Sequence, residues 1–450
     1  MIIIESVTEY EKTLCHHTES DWIVIPVYSN GFKSSHIESL SFLYVYVLYS
    51  DEEYGLVFNH TEGQSLPLSI LDSFPSNNKL FIYDKKSFRK FLDRPNLIDM
   101  DMVRYFHRNE ALPDDFETSA HEFFARTFTG FQNLNTIIPL TKHIEMCQKI
   151  VDVFFNDVDF YQDTEAFNHY NTTVLNALYE IEKNGLFVHS GLANEYFEKT
   201  PVEAGFVFSQ YNPYTTTGRP SNRFNGINFA ALKKENGERS AFISRFGKDG
   251  FLMSFDYDAY HLRLLANLVD YSFPENVSVH EYLGKYYFDK TELTDEEYNE
   301  SKSISFRQLY GGIQPEYLVV PFFERISEYT SRLWEFYRDS GYIETPMFGR
   351  KLHGKFFTDL NPAKLLNYLL QAYETERNMA VISNIVDRIR PCQSKIILYT
   401  YDAFLIDFHV ADGRKLIELL KHEFEENGKF PITLEIGPDY NNLIEIKKQI

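Results

Sequence analysis

Two apolar stretches that break off at an aspartate constrain this chain more than any other feature. In KIILYTYDAFLIDF (395–408) the β-branched run IILYT leads into a tight turn at YDA, and FLIDF resumes the strand. The pattern predicts a hairpin with Asp402 at its tip. In FLMSFDYD (251–258) a second apolar strand ends at Asp256. Two carboxylates at the ends of adjacent strands are what a two-metal phosphoryl-transfer site requires, with the ions about 3.5–4 Å apart. Taken singly, either aspartate reads more simply as the first residue of a turn.

A third element is helical. Thr294-Asp295-Glu296-Glu297 has the spacing of a capping box, from which a helix can run through KSISFRQLYG. Lys302, Phe306 and Tyr310 then recur at i, i+4 and i+8 on one face, and Gly311-Gly312 supplies the stop. A cation followed by two aromatics on one stripe could hold a triphosphate, a sugar and a base in that order. On spacing alone, an amphipathic helix with two core aromatics and a solvated lysine is the plainer reading.

The rest of the chain divides by pattern. DWIVIPVYS, FLYVYVLYS, YGLVFNH and KLFIYD read as short strands separated by turn residues, followed by helical patterns at 86–92, 99–108 and 117–128. That mixture predicts an α/β domain over roughly the first 150 residues. Helices dominate from Ile144 to Lys183 and stop at Asn184-Gly185. Strands and helices alternate beyond, so the fold class is α/β (α+β). With 450 residues, two to four domains and a sizeable core are expected.

The three cysteines, Cys15, Cys147 and Cys392, lie far apart without histidine at ligand spacing. Neither a disulfide framework nor a zinc site is expected, and a reducing cytoplasm fits. The sequence has no signal-peptide pattern at MIIIESVTEYEK and no apolar stretch of membrane-spanning length, so no membrane association is expected. The net charge of −21 is awkward for a protein that tracks a phosphate backbone. It leaves room for a local basic groove, since the screening length in physiological salt is about 8 Å. It argues against tight nonspecific DNA binding without help.

Several segments, in order, resemble the motifs of family-A DNA polymerases, the bacterial DNA polymerase I kind. SFDYDAYHLRLLA (254–266) resembles motif A, DYSQIELR, and KSISFRQLYGG (302–312) resembles motif B, K-x-x-x-F-x-x-x-Y-G. YTYDAFLIDF (399–408) resembles motif C, in which an HDE triplet sits on a hairpin. TTTGRPSNRFNGINFAAL (215–232) is similar to the TxTGRLSS…QN segment, LLQAYETERNMAVI (369–382) to the Q-x-x-A-A-D helix, and PITLEIGPDYNNL (431–443) to the closing VEVG segment. Six weak matches in the family's order are a specific signal.

The resemblance implies roles residue by residue. Asp256 and Asp402 would hold two Mg²⁺ ions, for which Mn²⁺ may substitute, with the Tyr257 carbonyl completing one sphere. Lys302 would contact the triphosphate of a dNTP and protonate the leaving group. Phe306 would pack under the sugar and Tyr310 near the templating base. Arg219, Asn228, Gln371 and Tyr401 would contact primer–template DNA, where backbone contacts position without reading sequence. The layout implied is a degenerate, RNase H-like 3′–5′ exonuclease domain over 1–150 and connecting helices with a vestigial thumb over 151–214. The palm then spans 215–269, the fingers 270–350 and the second part of the palm 351–450.

Departures from the family pattern qualify those roles. His261 stands where motif A usually has the Glu that helps exclude ribonucleotides, Tyr298 where motif B has an Arg, and Tyr401 and Ala403 flank Asp402 in place of His and Glu. Pro26 and Tyr28 stand about where the first exonuclease carboxylates belong, which leaves Asp84 without partners and predicts no proofreading. The interval 188–215 holds only enough sequence for a short helix and a strand where relatives carry a long thumb. Low processivity and a partner protein are therefore expected. The compactness is similar to that of phage members, which would place the protein in the host cytoplasm. Two other readings stay open: a catalytically silent polymerase fold serving as a primer–template or accessory binding module, and a polymerase with relaxed ribo/deoxy choice. If His261 is the relaxed gate, His261→Glu should raise the preference for dNTPs over rNTPs in side-by-side primer extension.

Overall fold

A computed structural model of the protein describes residues 1–29, 39–108, 136–198, 200, 202–222, 227–274, 277–354 and 357–446. The helical pattern at 117–128 and residues 223–226 of the TGR segment lie outside the described residues. The chain divides into two compact units, one of residues 1–183 with 210–215 and the other of residues 184–209 with 216–450.

The first unit is built on a mixed six-stranded sheet. Its strands are β1 (Ile2–Ile4), β2 (Trp22–Tyr28), β3 (Leu40–Val47), β4 (Glu52–Val57), β5 (Leu80–Ile82) and β6 (Leu97–Asp99), in the order β1-β4-β3-β2-β5-β6. β3 runs antiparallel to both β2 and β4, whereas β5 and β6 run parallel to β2 and β1 runs parallel to β4. The unit is mixed α/β, as the strand and helix pattern of the first 150 residues predicts. Every residue of β2 is buried, as its unbroken apolar run requires of a central strand covered on both faces. Pro26 is tolerated there because the pairing with β5 ends at Val24. The unit's helices include α1 (Lys85–Phe88), α2 (Met100–Arg108), α3 (Leu140–Val158) and α4 (Leu175–Asn184), with shorter helical segments at Val7–Lys12 and Glu165–Asn168 and a π-helical stretch at His169–Val174; Gly185 ends α4 at φ +59°.

In the second unit, β7 (Leu186–Phe187) and β8 (Phe206–Val207) form a short ladder around the seven-residue α5 (Ser190–Tyr196). A five-stranded antiparallel sheet follows, made of β9 (Gly250–Tyr257), β10 (Lys395–Thr400), β11 (Ala403–His409), β12 (Ile432–Gly437) and β13 (Ile444–Glu445). Its order is β10-β11-β9-β12-β13. Because side chains alternate, one face carries Phe255 with Phe404, which pack on Phe424 of α11 (Gly413–Glu425). The other carries Leu252 and Leu405, in a core with Leu186, Val188, Phe229 and Phe242. The remaining helices are α6 (Tyr260–Leu268), α7 (Val279–Phe288), α8 (Asp295–Gly311), α9 (Pro321–Ser340) and the long α10 (Pro362–Ile389). α10 packs against α6, α8, α9 and α11 and is buried along most of its length.

Asp407, fully buried on β11, ties the sheet to the start of the unit. It accepts hydrogen bonds from Ser244 Oγ (2.6 Å), Arg245 N (3.0 Å) and Arg245 Nε (2.8 Å), and Arg245 also donates to the carbonyls of Asn184 and Gly185. Removing one partner of such a pair strands the other in a poorly solvated place. Asp407→Ala should therefore cost about 3–5 kcal/mol of stability, read from urea denaturation followed by circular dichroism.

Candidate functional site

The two aspartates meet as their strands predict. β9 and β11 pair antiparallel with Asp256 opposite Ala403, so Asp402, the preceding residue, lies at the same end of the sheet. The backbone fixes them further, because the amide of Tyr257 donates to the carbonyl of Asp402 (3.1 Å). Phe255 and Tyr257 are buried while Asp256 between them is exposed, as strand alternation demands. Tyr401 and Asp402 form the two-residue turn of the β10–β11 hairpin. Tyr401 sits at φ +69°, a backbone region that a bulky residue rarely adopts. Its carbonyl accepts a hydrogen bond from Asn378 Nδ2 (2.7 Å), and the Arg219 guanidinium lies 3.6 Å from its ring centroid.

Like charge and surrounding protein raise the proton affinity of both carboxylates. Asp256 is open to solvent on one side and packed on the others. Its pKa is pushed up to about 7, first by desolvation and then by the charges of Asp402, Glu435 and Asp258. Asp402 is raised by desolvation and by Glu374, against the pull of its backbone amide, His261 and Arg219.

The helical stripe takes its predicted form. Thr294 Oγ1 accepts from Glu297 N (3.2 Å) and Glu297 returns the bond to Thr294 N (3.0 Å), which starts α8 with a full capping box. Gly312, at φ +93°, ends it. Phe306 and Tyr310 are 41% and 42% exposed, with parallel rings 6.0 Å apart, so they are not core aromatics. The Lys302 ammonium lies 4.7 Å from the ring of Tyr298. The stripe joins the carboxylate end of the sheet through His261 on α6, whose Nδ1 is 2.7 Å from Tyr310 Oη. Tyr310 is pushed up to about 12 by burial and by Glu374.

Arg219, His261, Tyr310 and Tyr401 thus form one contiguous set beside Asp402. Gln371 joins its margin, 3.4 Å from Thr217 Oγ1. Asn228 does not join it: it is exposed at the start of the 3₁₀ turn Phe229–Ala231. Beside Asp258 opens a cavity of about 1000 Å³ lined also by Arg263, Ser278, Tyr298 and Lys429. Among the described residues no group of three or more His, Cys, Asp or Glu is arranged to hold a metal.

Several residues of the site are not singled out by the sequence motifs. The ring of His280 on α7 lies tilted against Phe306, centroids 5.8 Å apart, and its pKa is lowered to about 4, chiefly by burial and partly by Lys302 and Arg263. From α10, Glu374, Arg377 and Asn378 reach the site together. Arg377 donates to the hydroxyls of Tyr257 (2.9 Å) and Tyr260 (3.1 Å), and Asn378 bridges Tyr260 and Tyr401. They lie within LLQAYETERNMAVI (369–382), and their i, i+3, i+4 spacing puts them on one face.

In the first unit, Asp84 differs from the sequence expectation, because it does have carboxylate neighbours. Asp84 and Asp99 both act on the buried hydroxyl of Tyr28, and with Asp101 they act on that of Tyr214. These carboxylates serve structure. Asp84 caps α1 through Ser87 N (3.4 Å), and Asp99 accepts from Lys85 N, Met102 N and Tyr214 Oη at 2.8–2.9 Å. Lys86 is buried against Glu182 (2.5 Å).

No protein-family model matches the sequence, and comparison with curated protein sequences gives no match. Among solved structures, the chain is similar to the POL domain of Pol1 from M. smegmatis, determined in complex with DNA primer-template and dNTP. The TM-score is 0.75 at 14% identity, over 98% of this chain and 100% of that one. The fold is therefore that of a DNA polymerase domain. Among the described residues no helix is long and apolar enough to cross a membrane.

The raised Asp256 gives a test that needs no substrate. A carboxyl whose folded pKa lies above its unfolded value binds more protons when folded. Stability should therefore fall as pH rises from about 4 to about 7. Asp256→Asn should flatten that part of the profile and be more stable than wild type at pH 8, as measured by melting temperature against pH.

Proposed function

We propose that the protein is a template-directed DNA polymerase of the family-A kind that adds dNTPs to a primer 3′-hydroxyl. The observation that carries this reading is the hydrogen bond between His261 and Tyr310. It joins the exposed Lys302–Phe306–Tyr310 stripe to the end of the sheet where Asp256 and Asp402 meet. The likeness to a polymerase domain bound to primer-template and dNTP supports it.

The carboxylate pair fits divalent cations. Two adjacent carboxylates whose proton affinity is raised by desolvation and by neighbouring negative charge gain most from a cation between them. Mg²⁺ characteristically takes one or two protein carboxylates and completes its shell with water and substrate phosphates, so a full protein cage is not needed. Asp256 and Asp402 would hold the ions, with the Tyr257 carbonyl. When bound, two Mg²⁺ or Mn²⁺ would lower the pKa of the primer hydroxyl and neutralise charge on the triphosphate.

The chain's own residues do the rest. Lys302 donates to the triphosphate and supplies a proton to the leaving pyrophosphate, and Phe306 and Tyr310 present ring faces to the sugar and base. Arg219 stacks on Tyr401, which places a cation beside Asp402 to meet the primer–template backbone. The cavity beside Asp258 gives the pyrophosphate room to leave, with Arg263 and Lys429 on its walls.

Proofreading is absent on this reading, since Asp84 serves as a helix cap and Asp99 as a buried hydrogen-bond acceptor. Low processivity follows from the shortness of α5, where relatives carry a long clamp, together with the net charge of −21. A partner protein would hold the enzyme on DNA. Primer extension with Mg²⁺ tests the whole reading. Wild type should extend a primer, Asp256→Ala and Asp402→Ala should not, and Lys302→Ala should lower kcat by about 10²–10⁴-fold. Extension that survives either aspartate substitution would show the site to be elsewhere.

A further inference from the structure

Glu374 is 1% exposed on α10, yet its carboxylate is aimed at the site and not at a structural cap. Its Oε2 lies 3.0 Å from Arg219 Nε and 3.4 Å from His261 Nε2. A buried carboxylate is costly unless cations or hydrogen bonds compensate it, so this one holds both neighbours firmly. Each neighbour in turn grips a group at the edge of the site. Arg219 lies over the Tyr401 ring at 3.6 Å, and His261 Nδ1 meets Tyr310 Oη at 2.7 Å.

The two ring nitrogens of His261 are therefore engaged on opposite sides, and the partner of one decides the role of the other. With Glu374 ionised, its charge 3.4 Å from Nε2 favours the tautomer that carries the hydrogen on that nitrogen. Nδ1 is then the acceptor, and the Tyr310 hydroxyl must donate. A single buried charge thus orients a histidine, and the histidine holds an aromatic of the exposed stripe on the fingers-like helix α8. The same charge holds Arg219 against the turn that carries Asp402.

We propose that Glu374 is a positioning residue for the incoming nucleotide, setting the His261 tautomer and through it the place of Tyr310, while anchoring Arg219 at the Asp402 turn. The proposal rests on the polymerase reading for its kinetic consequence and on the geometry alone for the tautomer.

Single-nucleotide incorporation separates this role from a merely structural one. Glu374→Gln should raise KM for dNTP by about tenfold and leave kcat within about threefold. His261→Ala should do the same, and the double variant should be no worse than the worse single one, because both act through one chain of contacts. A loss of kcat at unchanged KM, or losses that add, would overturn the proposal.

A second readout needs no activity. With ¹³C-labelled histidine, the ring resonance assigned by its disappearance in His261→Ala should shift in Glu374→Gln and in Tyr310→Phe. A resonance unmoved in Glu374→Gln overturns the proposal whether or not the protein polymerises. Failure of the wild type to extend a primer would count against the polymerase reading, and the resonance would then decide this one. Should Glu374→Gln fail to fold, Glu374→Asp keeps the charge, withdraws it by one methylene, and carries the same comparison.

Discussion

The antiparallel pairing of β9 with β11 is the constraint on which the site depends. Opposing Asp256 with Ala403 brings two carboxylates to one end of a sheet, and the amide of Tyr257 bonds to the carbonyl of Asp402 so that neither strand can slip. A one-residue shift in register would turn Asp256 into the core and expose Phe255, which the packing of Phe255 on Phe424 opposes. The hydrophobic faces of the sheet thus hold together two like charges that would otherwise separate. The raised proton affinity of Asp256 reflects desolvation first and that opposition second.

Around this pair the second unit arranges a buried polar face on one long helix. Glu374, Arg377 and Asn378 of α10 contact, respectively, Arg219 and His261, Tyr257 and Tyr260, and Tyr260 and Tyr401. The Arg377 guanidinium also lies 3.7 Å from the ring of Phe430, so its charge is spread over aromatic faces as well as hydroxyls. The strained backbone at Tyr401 persists because Asn378 and Arg219 over-determine it. On the proposed polymerase reading, rigidity of this kind suits holding a primer end and a nucleotide in line.

The first unit shows the opposite use of similar residues. Asp84 and Asp99 lie beside one another at the start of α1, and backbone amides and a tyrosine hydroxyl use their oxygens. Carboxylates that accept several hydrogen bonds in a packed interior define a conformation. The sheet retains its strand order while its acidic residues act as internal caps.

Strand alternation in FLMSFD and the hairpin in KIILYTYDAFLIDF were legible in the residues, because period-2 burial and turn chemistry are local. So were the capping box at Thr294, the glycine stop at Gly312 and the shared face of Lys302, Phe306 and Tyr310. The exposure of those two aromatics was not, since an i, i+4 spacing says that side chains share a face but not what that face meets. Asp84 shows the same limit: its neighbour Asp99 is close by fold, and only the placement of Tyr28 and Tyr214 shows how the pair is used. His280 carries no motif, and the 369–382 segment marks the helix of Glu374, Arg377 and Asn378 without showing what each of them touches. They matter because the packing of α7 and α10 carries them to residues far away in the chain. The sequence by itself determined which segments are strands and helices and that two aspartates end two strands. Tertiary structure alone decided which strand ends meet and which buried charges stand behind them, because those facts depend on long-range contacts that no local pattern encodes.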